Sequence, residues 1–268
     1  MLAPNSTIKQ TAKKALSPRY MTALVACCLL VFAWFIGMLS SSLASVAFGT
    51  IGFVAILLAV VIFALIPMLL GVLYYFRRLT FEQEDSVLVI FKYFSSTKEY
   101  KRALRFAFLI FLKFALAALF VFSPCIIITL LSNETIYQFL GIELPVWMPI
   151  LWALNSFIAI LAIISLAFIT LKYYLSAFLF VSNDQLDPSQ AIKFSCLISK
   201  RTGGDFFGLM FSFTPLILLS VLVAPLIFTL PYILSAYCVH GRFAITAYNL
   251  DVDRFNKANT PSYTADQI

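Results

Sequence analysis

Long apolar runs alternate with short polar stretches from one end of the chain to the other. Those at 21–38, 46–76, 106–131, 147–171, 206–223 and 226–248 are each long enough to cross a bilayer as a helix, which takes roughly 20 apolar residues. The pattern predicts an all-α fold: a polytopic membrane helical bundle of about six transmembrane helices. An uncharged serine-rich bend at 40–45 is expected between the first two spans. Ser41, Ser45 and Gly49 recur every four residues there, a small-residue stripe that lets helices approach closely. Pro67 predicts a kink in the second span, with neighbours taking over the carbonyl it leaves unpaired. Pro124 and Pro215 mark further kinks.

Two polar stretches predict helices too short to span. In the island 183–204, Asp187-Pro188 reads as a helix start. The carboxylate can accept from an orphan N–H, proline loses nothing at the first helical position, and Gln190 completes a capping box. Ala191, Phe194, Ser195 and Ile198 share one face, with Ile192 and Cys196 beside them. This helix is expected to end near Lys200, with Gly203-Gly204 as its stop. In the stretch 77–105, a second helix is expected over 81–95, started by Thr80 and Gln83. Its apolar stripe is Val87, Leu88, Ile90, Phe91 and Phe94. Each reads as an amphipathic helix on the cytoplasmic face, a plain connector or a functional surface element. A loose likeness between 86–94 and 189–197 raises an internal repeat. The apolar stretch 175–181, left over after the fourth span, is expected to stay helical and pack beneath the bundle.

Charge orients this pattern. Lys113 apart, every Lys and Arg lies in or close to one set of loops, and the three intervening loops carry none. By the positive-inside rule both termini are cytoplasmic. Three parts follow. A basic arm, 1–20, has Ile8, Ala12 and Leu16 on one side and is expected to touch anionic headgroups. A six-span membrane domain covers 21–250, and a polar tail covers 251–268. Trp147 and Trp152 read as outer aromatic anchors, and Tyr137, Phe139 and Leu140 as residues resting on the outer interface. The competing reading of the first span is a signal peptide, with Ser45-Val46-Ala47 resembling a cleavage site.

Composition narrows the chemistry. Hydrophobic residues make up 62% of the chain and charged ones 12%, about half the charge of a soluble domain. The net charge of +7 is dispersed over loops rather than gathered in an aromatic-interleaved patch, so no nucleic-acid partner is expected. Five cysteines lack metal or disulfide spacing and read as packing residues, with Cys196 a candidate for acylation. One histidine, His240, rules out a multi-histidine metal site, and no phosphate loop or nucleophile elbow occurs. Glu82, Glu84 and Asp85 read as a helix N-terminal charge pattern. No enzyme activity, metal or cofactor is expected.

Three residues remain as candidate functional or lipid-facing positions: Lys113, His240 and Arg242. Charges inside a span are functional candidates by default. Lys113 sits near the cytoplasmic third of its span, where a long side chain snorkels to the interface. His240 and Arg242, two positions apart, are rotated by roughly 200° and cannot share a partner. No acid lies in any span, so Arg242 is expected at the inner interface and His240 neutral and bonded to a neighbouring span.

An ordered set of residues carries a family likeness: Ile8-Lys9, Ala12-Lys13, Leu16 and Tyr20 in the arm, and Phe91 and Phe94 in the first surface helix. Asp184 follows the fourth span, Ala191-Ile192 and Ser195 lie in the island, and Pro231-Tyr232 begins the last span. On these the chain resembles the bacterial integral-membrane proteins grouped as domain of unknown function 975. It is more distantly similar to the membrane domain attached to some glycerophosphodiester phosphodiesterases. It departs from the family at Pro124-Cys125, where Pro-Gly is usual, and at Ser199-Lys200-Arg201, where Met-Lys-Gly is usual. The resemblance implies a six-span fold in a bacterial cell membrane and no particular activity. Two functional classes stand: a non-catalytic scaffold, assembly or lipid-interacting module, or a transporter or channel for a small solute. The bilayer is the first partner, with a membrane protein or a second copy of the chain as others.

Overall fold

The computed structural model describes residues 4–80, 86–132, 147–219 and 223–259. The fold is an all-α helical bundle, with no strand among the described residues. Three segments are long and apolar enough to cross a membrane: Asn5–Thr80, Thr97–Leu131 and Met148–Ser182. The carboxylates Glu82, Glu84 and Asp85, residues 133–146 with Tyr137, Phe139 and Leu140, and the last residues 260–268 lie outside the described residues.

Helix α1 (Asn5–Leu16) runs through a single 3-10 turn, Ser17–Arg19, into α2 (Tyr20–Val60). As its apolar face predicts, α1 buries Ile8, Ala12 and Leu16. It does not trail as a free arm. Ile8 and Ala12 pack with Leu209, Phe213, Ala236 and Val239, and the Lys9 ammonium donates to the Ser212 carbonyl at 3.1 Å.

The expected bend at 40–45 is absent. The Ser40, Ser41 and Ser42 hydroxyls donate to the carbonyls of Ile36, Gly37 and Met38, one turn back, and Ser45 donates to Ser42. A serine that satisfies itself on its own helix does not need to leave it. The chain turns at Gly49 instead, with φ 64° and ψ −155°. A side chain there would be strained, which is why glycine holds the apex. The two arms, 20–48 and 50–80, run antiparallel: Gly37 meets Val60, and the Tyr75 hydroxyl donates to Thr22 Oγ1 at 2.8 Å. A Cβ on Gly37 would lie 2.6 Å from Val60 Cγ1, so close approach uses Gly37 and buried Ser41 rather than the predicted stripe through Gly49.

The returning arm contains one π-helical stretch, Val61–Leu65, before α3 (Ile66–Thr80). It lies just ahead of Pro67, where the hydrogen-bond ladder must loosen. The next element is shorter and tighter than the helix expected over 81–95. It is a 3-10 turn, Val87–Phe91, running into α4 (Lys92–Ser95), and Ser86 caps it by accepting from the Leu88 N–H. A period of three replaces 3.6, so Ile90 and Tyr93 are fully buried while Leu88, Phe91 and Phe94 from the expected stripe are exposed. Gly71 sets the fit: a Cβ there would lie 1.8 Å from the Ile90 carbonyl oxygen.

Helix α5 (Thr97–Leu131) pairs antiparallel with α6 (Met148–Tyr173) through Asn155 and Thr129 at one end and Phe114 and Tyr173 towards the other. The short α7 (Ser176–Ser182) then tucks into the core, as the leftover apolar stretch predicts, burying Phe178, Phe180 and Val181. Helix α8 (Pro188–Phe211) opens with the predicted capping box on Asp187 and Gln190. It does not stop at Gly203-Gly204. Contacts on both sides of the glycines hold the helix together: Thr202 shares a hydrogen bond with Tyr174 at 2.8 Å, and Phe206 stacks on Tyr174 at 4.1 Å. These offset the ~1 kcal/mol that each glycine costs a helix. Of the predicted face, Ala191, Ser195 and Ile198 are buried with Ile192, and Phe194 points outward. The break comes at Ser212-Phe213, before α9 (Thr214–Leu219) and α10 (Val223–Asn259). The backbone thus stays helical to Asn259, past the start of the expected polar tail.

Burial is uneven. The core gathers where the charged segments meet: much of α3, Ile90, Tyr93, α7 and the inward face of α8. Away from that end, α2, α5 and α6 leave Phe35, Phe48, Leu119, Phe120, Ile150 and Phe157 exposed.

Candidate functional site

At the charged end, one guanidinium holds the turn between α7 and α8. Arg102 on α5 points its Nη2 at the carbonyls of Asn183 (2.7 Å), Leu186 (3.0 Å) and Phe180 (3.4 Å). Phe180 and Asn183 belong to the last turn of α7 and its cap, where a helix leaves carbonyls orphaned, and Leu186 lies in the turn just before Asp187. The same guanidinium lies over the Phe180 ring at 4.4 Å, and Phe180 stacks on Phe106 at 4.7 Å. Lys92 adds an ion pair to Asp184 at 2.7 Å while sitting 3.9 Å from the Tyr74 ring centre. Arg105 pairs with Asp187 at 3.0 Å, and Arg77 donates to the Val181 carbonyl. The 77–105 segment and the island are therefore two halves of one interlock. Within it, burial pushes the Tyr93 phenol above its ordinary range. The Asp187 carboxyl is held below its ordinary range, chiefly by the Ser189 hydroxyl.

His240 lies on α10, fully buried among aromatic rings. Its Nε2 is 3.1 Å from the Tyr174 hydroxyl, which also shares a proton with Thr202 Oγ1 at 2.8 Å. Phe206 flanks the imidazole at 5.5 Å, and the Tyr237 hydroxyl donates to the Tyr174 carbonyl at 2.6 Å. His240 Nδ1 has no partner among the described residues. Gly241 lets α10 press on α7: a Cβ there would lie 2.6 Å from the Phe178 ring. The predicted bond to a neighbouring element is thus present, through Tyr174.

Arg242 points the other way, as the helical rotation requires. It is exposed and lines a cavity of about 580 Å³ with Lys14 and Arg19 from the N-terminal segment and Thr80 from α3. Lys113 is exposed on α5, at the level of Lys172 and Cys196. The three candidates do not form one site. Lys113 faces outward, His240 is sealed, and Arg242 joins a basic cleft with α1.

Sequence reasoning missed Arg102 and Tyr174. Arg102 counted only as one of the charges that orient the chain; the one local signal was Glu99, three residues before Arg102 and 3.6 Å from it. Among the described residues no cluster of His, Cys, Asp or Glu is arranged to hold a metal ion. Compared with family models, with curated proteins and with solved structures, the chain matches none.

Proposed function

We propose that this protein is an integral membrane protein that acts without catalysis, as a scaffold, assembly or lipid-interacting module. Its helices cross the bilayer about six times, with the charged end and both termini in the cytoplasm. The observation that carries this reading is the separation of its ionisable groups. A solute pathway would gather Lys113, His240 and Arg242 around a shared polar cavity. Here His240 is enclosed by rings, while Lys113 and Arg242 are exposed on different helices. The exposed apolar flanks of α2, α5 and α6 suit acyl chains, and the basic residues at the core end suit anionic headgroups.

Topology reporters test it. A fusion at the Gly49 apex should read as outside, and one after Ile268 as inside, in membranes that keep the protein through carbonate extraction. A C-terminal reporter active on the outer side would sink the orientation, and release of the protein by carbonate would sink the whole reading.

A further inference from the structure

Helices α5, α6 and α8 pack on one another, and each brings an exposed lysine to their common charged end: Lys113, Lys172 and Lys200. None of the three ammonium groups makes a hydrogen bond or ion pair among the described residues. Their charges converge on Cys196. Burial pushes that thiol up, and all three ammonium groups pull against it. The nearest acid along α8, Asp205, sits nine positions from Cys196, half a turn round the helix, and acts on Tyr174 instead.

Beside these lysines, α6 and α8 enclose a cleft of about 420 Å³. Lys172 and Lys200 stand at it, and Phe168, Leu171 and Phe207 form its apolar wall. Gly203 and Gly204 leave it open, since a Cβ at either would meet nothing within 4 Å. The backbone on the α6 side is already settled: Ser195 and Ser199 both donate to the Lys172 carbonyl at 3.1 Å. The polar capacity left in the cleft is therefore cationic, and the apolar wall continues into the exposed face of α6.

We propose that this cleft binds an anionic phospholipid, with Lys172 and Lys200 at its phosphate and Phe168, Leu171 and Phe207 along its acyl chains. Phosphate chemistry follows from unpaired ammonium donors beside a groove without acids. A lipid rather than free phosphate follows from the apolar wall, which a small anion would leave unused. The assignment rests on the chain's being an integral membrane protein, and it names the lipid class such a module holds.

The test is native mass spectrometry of the full chain in detergent, titrated with phosphatidylglycerol and with phosphatidylcholine of the same acyl chains. The protein should prefer phosphatidylglycerol. K172Q/K200Q should weaken that binding by roughly fivefold per lysine, about 25-fold together, and leave phosphatidylcholine unchanged. K98Q/K101Q removes two exposed charges from the start of α5, away from the cleft, and should change nothing. Gly204→Leu adds bulk to the cleft without altering charge and should also block phosphatidylglycerol; it decides the matter if the lysine variant fails to fold. Equal weakening by K98Q/K101Q would reduce the preference to diffuse charge and overturn the site. Full binding by Gly204→Leu would overturn the cleft. Displacement of the lipid by millimolar inorganic phosphate would overturn the choice of ligand. Carbonate extraction of the same variants reads membrane integration separately, so an inserted protein without lipid preference sinks the cleft alone.

Discussion

The Tyr100 hydroxyl donates to the Phe63 carbonyl at 2.9 Å, and Phe63 stands four residues before Pro67. Proline has no N–H to give to that carbonyl, so a tyrosine on a different helix supplies the missing donor. Pro124 repeats the device more locally: Ser123 donates to Phe120, four residues before the proline, at 2.8 Å. Removing the donor should therefore cost only where the proline is present. Tyr100→Phe should lose about 1 kcal/mol in detergent unfolding. The loss should shrink in a Pro67→Ala background, where the backbone regains an N–H for the Phe63 carbonyl. An equal loss in both backgrounds would refute the exchange.

Gly71 and Gly203 make opposite predictions from the same change. Alanine at 71 would drive its Cβ against the Ile90 backbone, which no rotamer can relieve. That variant should destabilise by roughly 3 kcal/mol or more, the cost of forcing packed elements apart. Alanine at 203 meets nothing within 4 Å and lies within α8, so it should gain up to about 1 kcal/mol from helix propensity. Thermal unfolding of both in one detergent checks the contrast, and a neutral Gly71→Ala would contradict the contact.

These two glycines also show where the sequence was readable and where it was not. Periodicity carried the helical class, the buried face of α1 and the core position of 175–181, because each depends on local spacing. The cap at Asp187 was readable because every group in it lies within four residues. The stop at Gly203-Gly204 was misplaced because what overrides it, Tyr174 against Thr202 and Phe206, comes from another helix. The hairpin apex was misplaced because serine has two uses, and back-bonding to the preceding turn leaves no mark in composition. Arg102 was the largest omission. Its three carbonyl acceptors lie about 80 residues away, and main-chain acceptors have no residue type to betray them.

Arg102 offers the sharpest test of the interlock. Its side chain is mostly covered, with 14% of its surface exposed. Arg102→Ala should cost about 3 kcal/mol or more, since several carbonyls lose a charged donor and each such loss is worth ~1–3 kcal/mol. Arg102→Lys should recover less than half, because one ammonium cannot both reach the three carbonyls and lie flat over Phe180. Limited proteolysis should then cut near 183–187 first. Unchanged stability in both variants would show that the turn holds without the guanidinium.

Asp187 sets an acid limit. Its carboxyl is held below the usual range by the Ser189 hydroxyl first, then the Ser189 N–H and the charges of Arg105 and Arg102, with burial opposing. A group whose folded value is depressed adds stability above its unfolded pKa, near 4, and loses it as pH falls through the folded value. Unfolding temperature should thus hold steady from pH 7 to about 5 and drop below about 4. Asp187→Asn keeps a capping side chain but cannot ionise, so it should flatten that drop and lie lower on the plateau by about the amount the parent loses in acid. An identical acid limb in the variant would assign the sensitivity to other carboxylates.

His240 decides between the two functional classes. Among the described residues its imidazole reaches one polar side chain, the Tyr174 hydroxyl, and Thr202 completes the chain. A structural role predicts tolerance of any residue that can still meet that hydroxyl. His240→Gln should insert, fold and stay within about 1 kcal/mol of the parent, because an amide can serve as donor or acceptor there. Tyr174→Phe should cost more, about 1–3 kcal/mol, since it strips His240 of its bond and leaves Thr202 without a tyrosine partner. A transport role predicts the reverse order of effects on flux: an intact fold in both, with activity lost at His240→Gln. Proteoliposomes loaded with a pH indicator and with small ions would read this directly. Flux in the parent that vanishes in His240→Gln, with both proteins melting alike, would replace the scaffold by a transporter and make Tyr174 and Thr202 the next positions on its path.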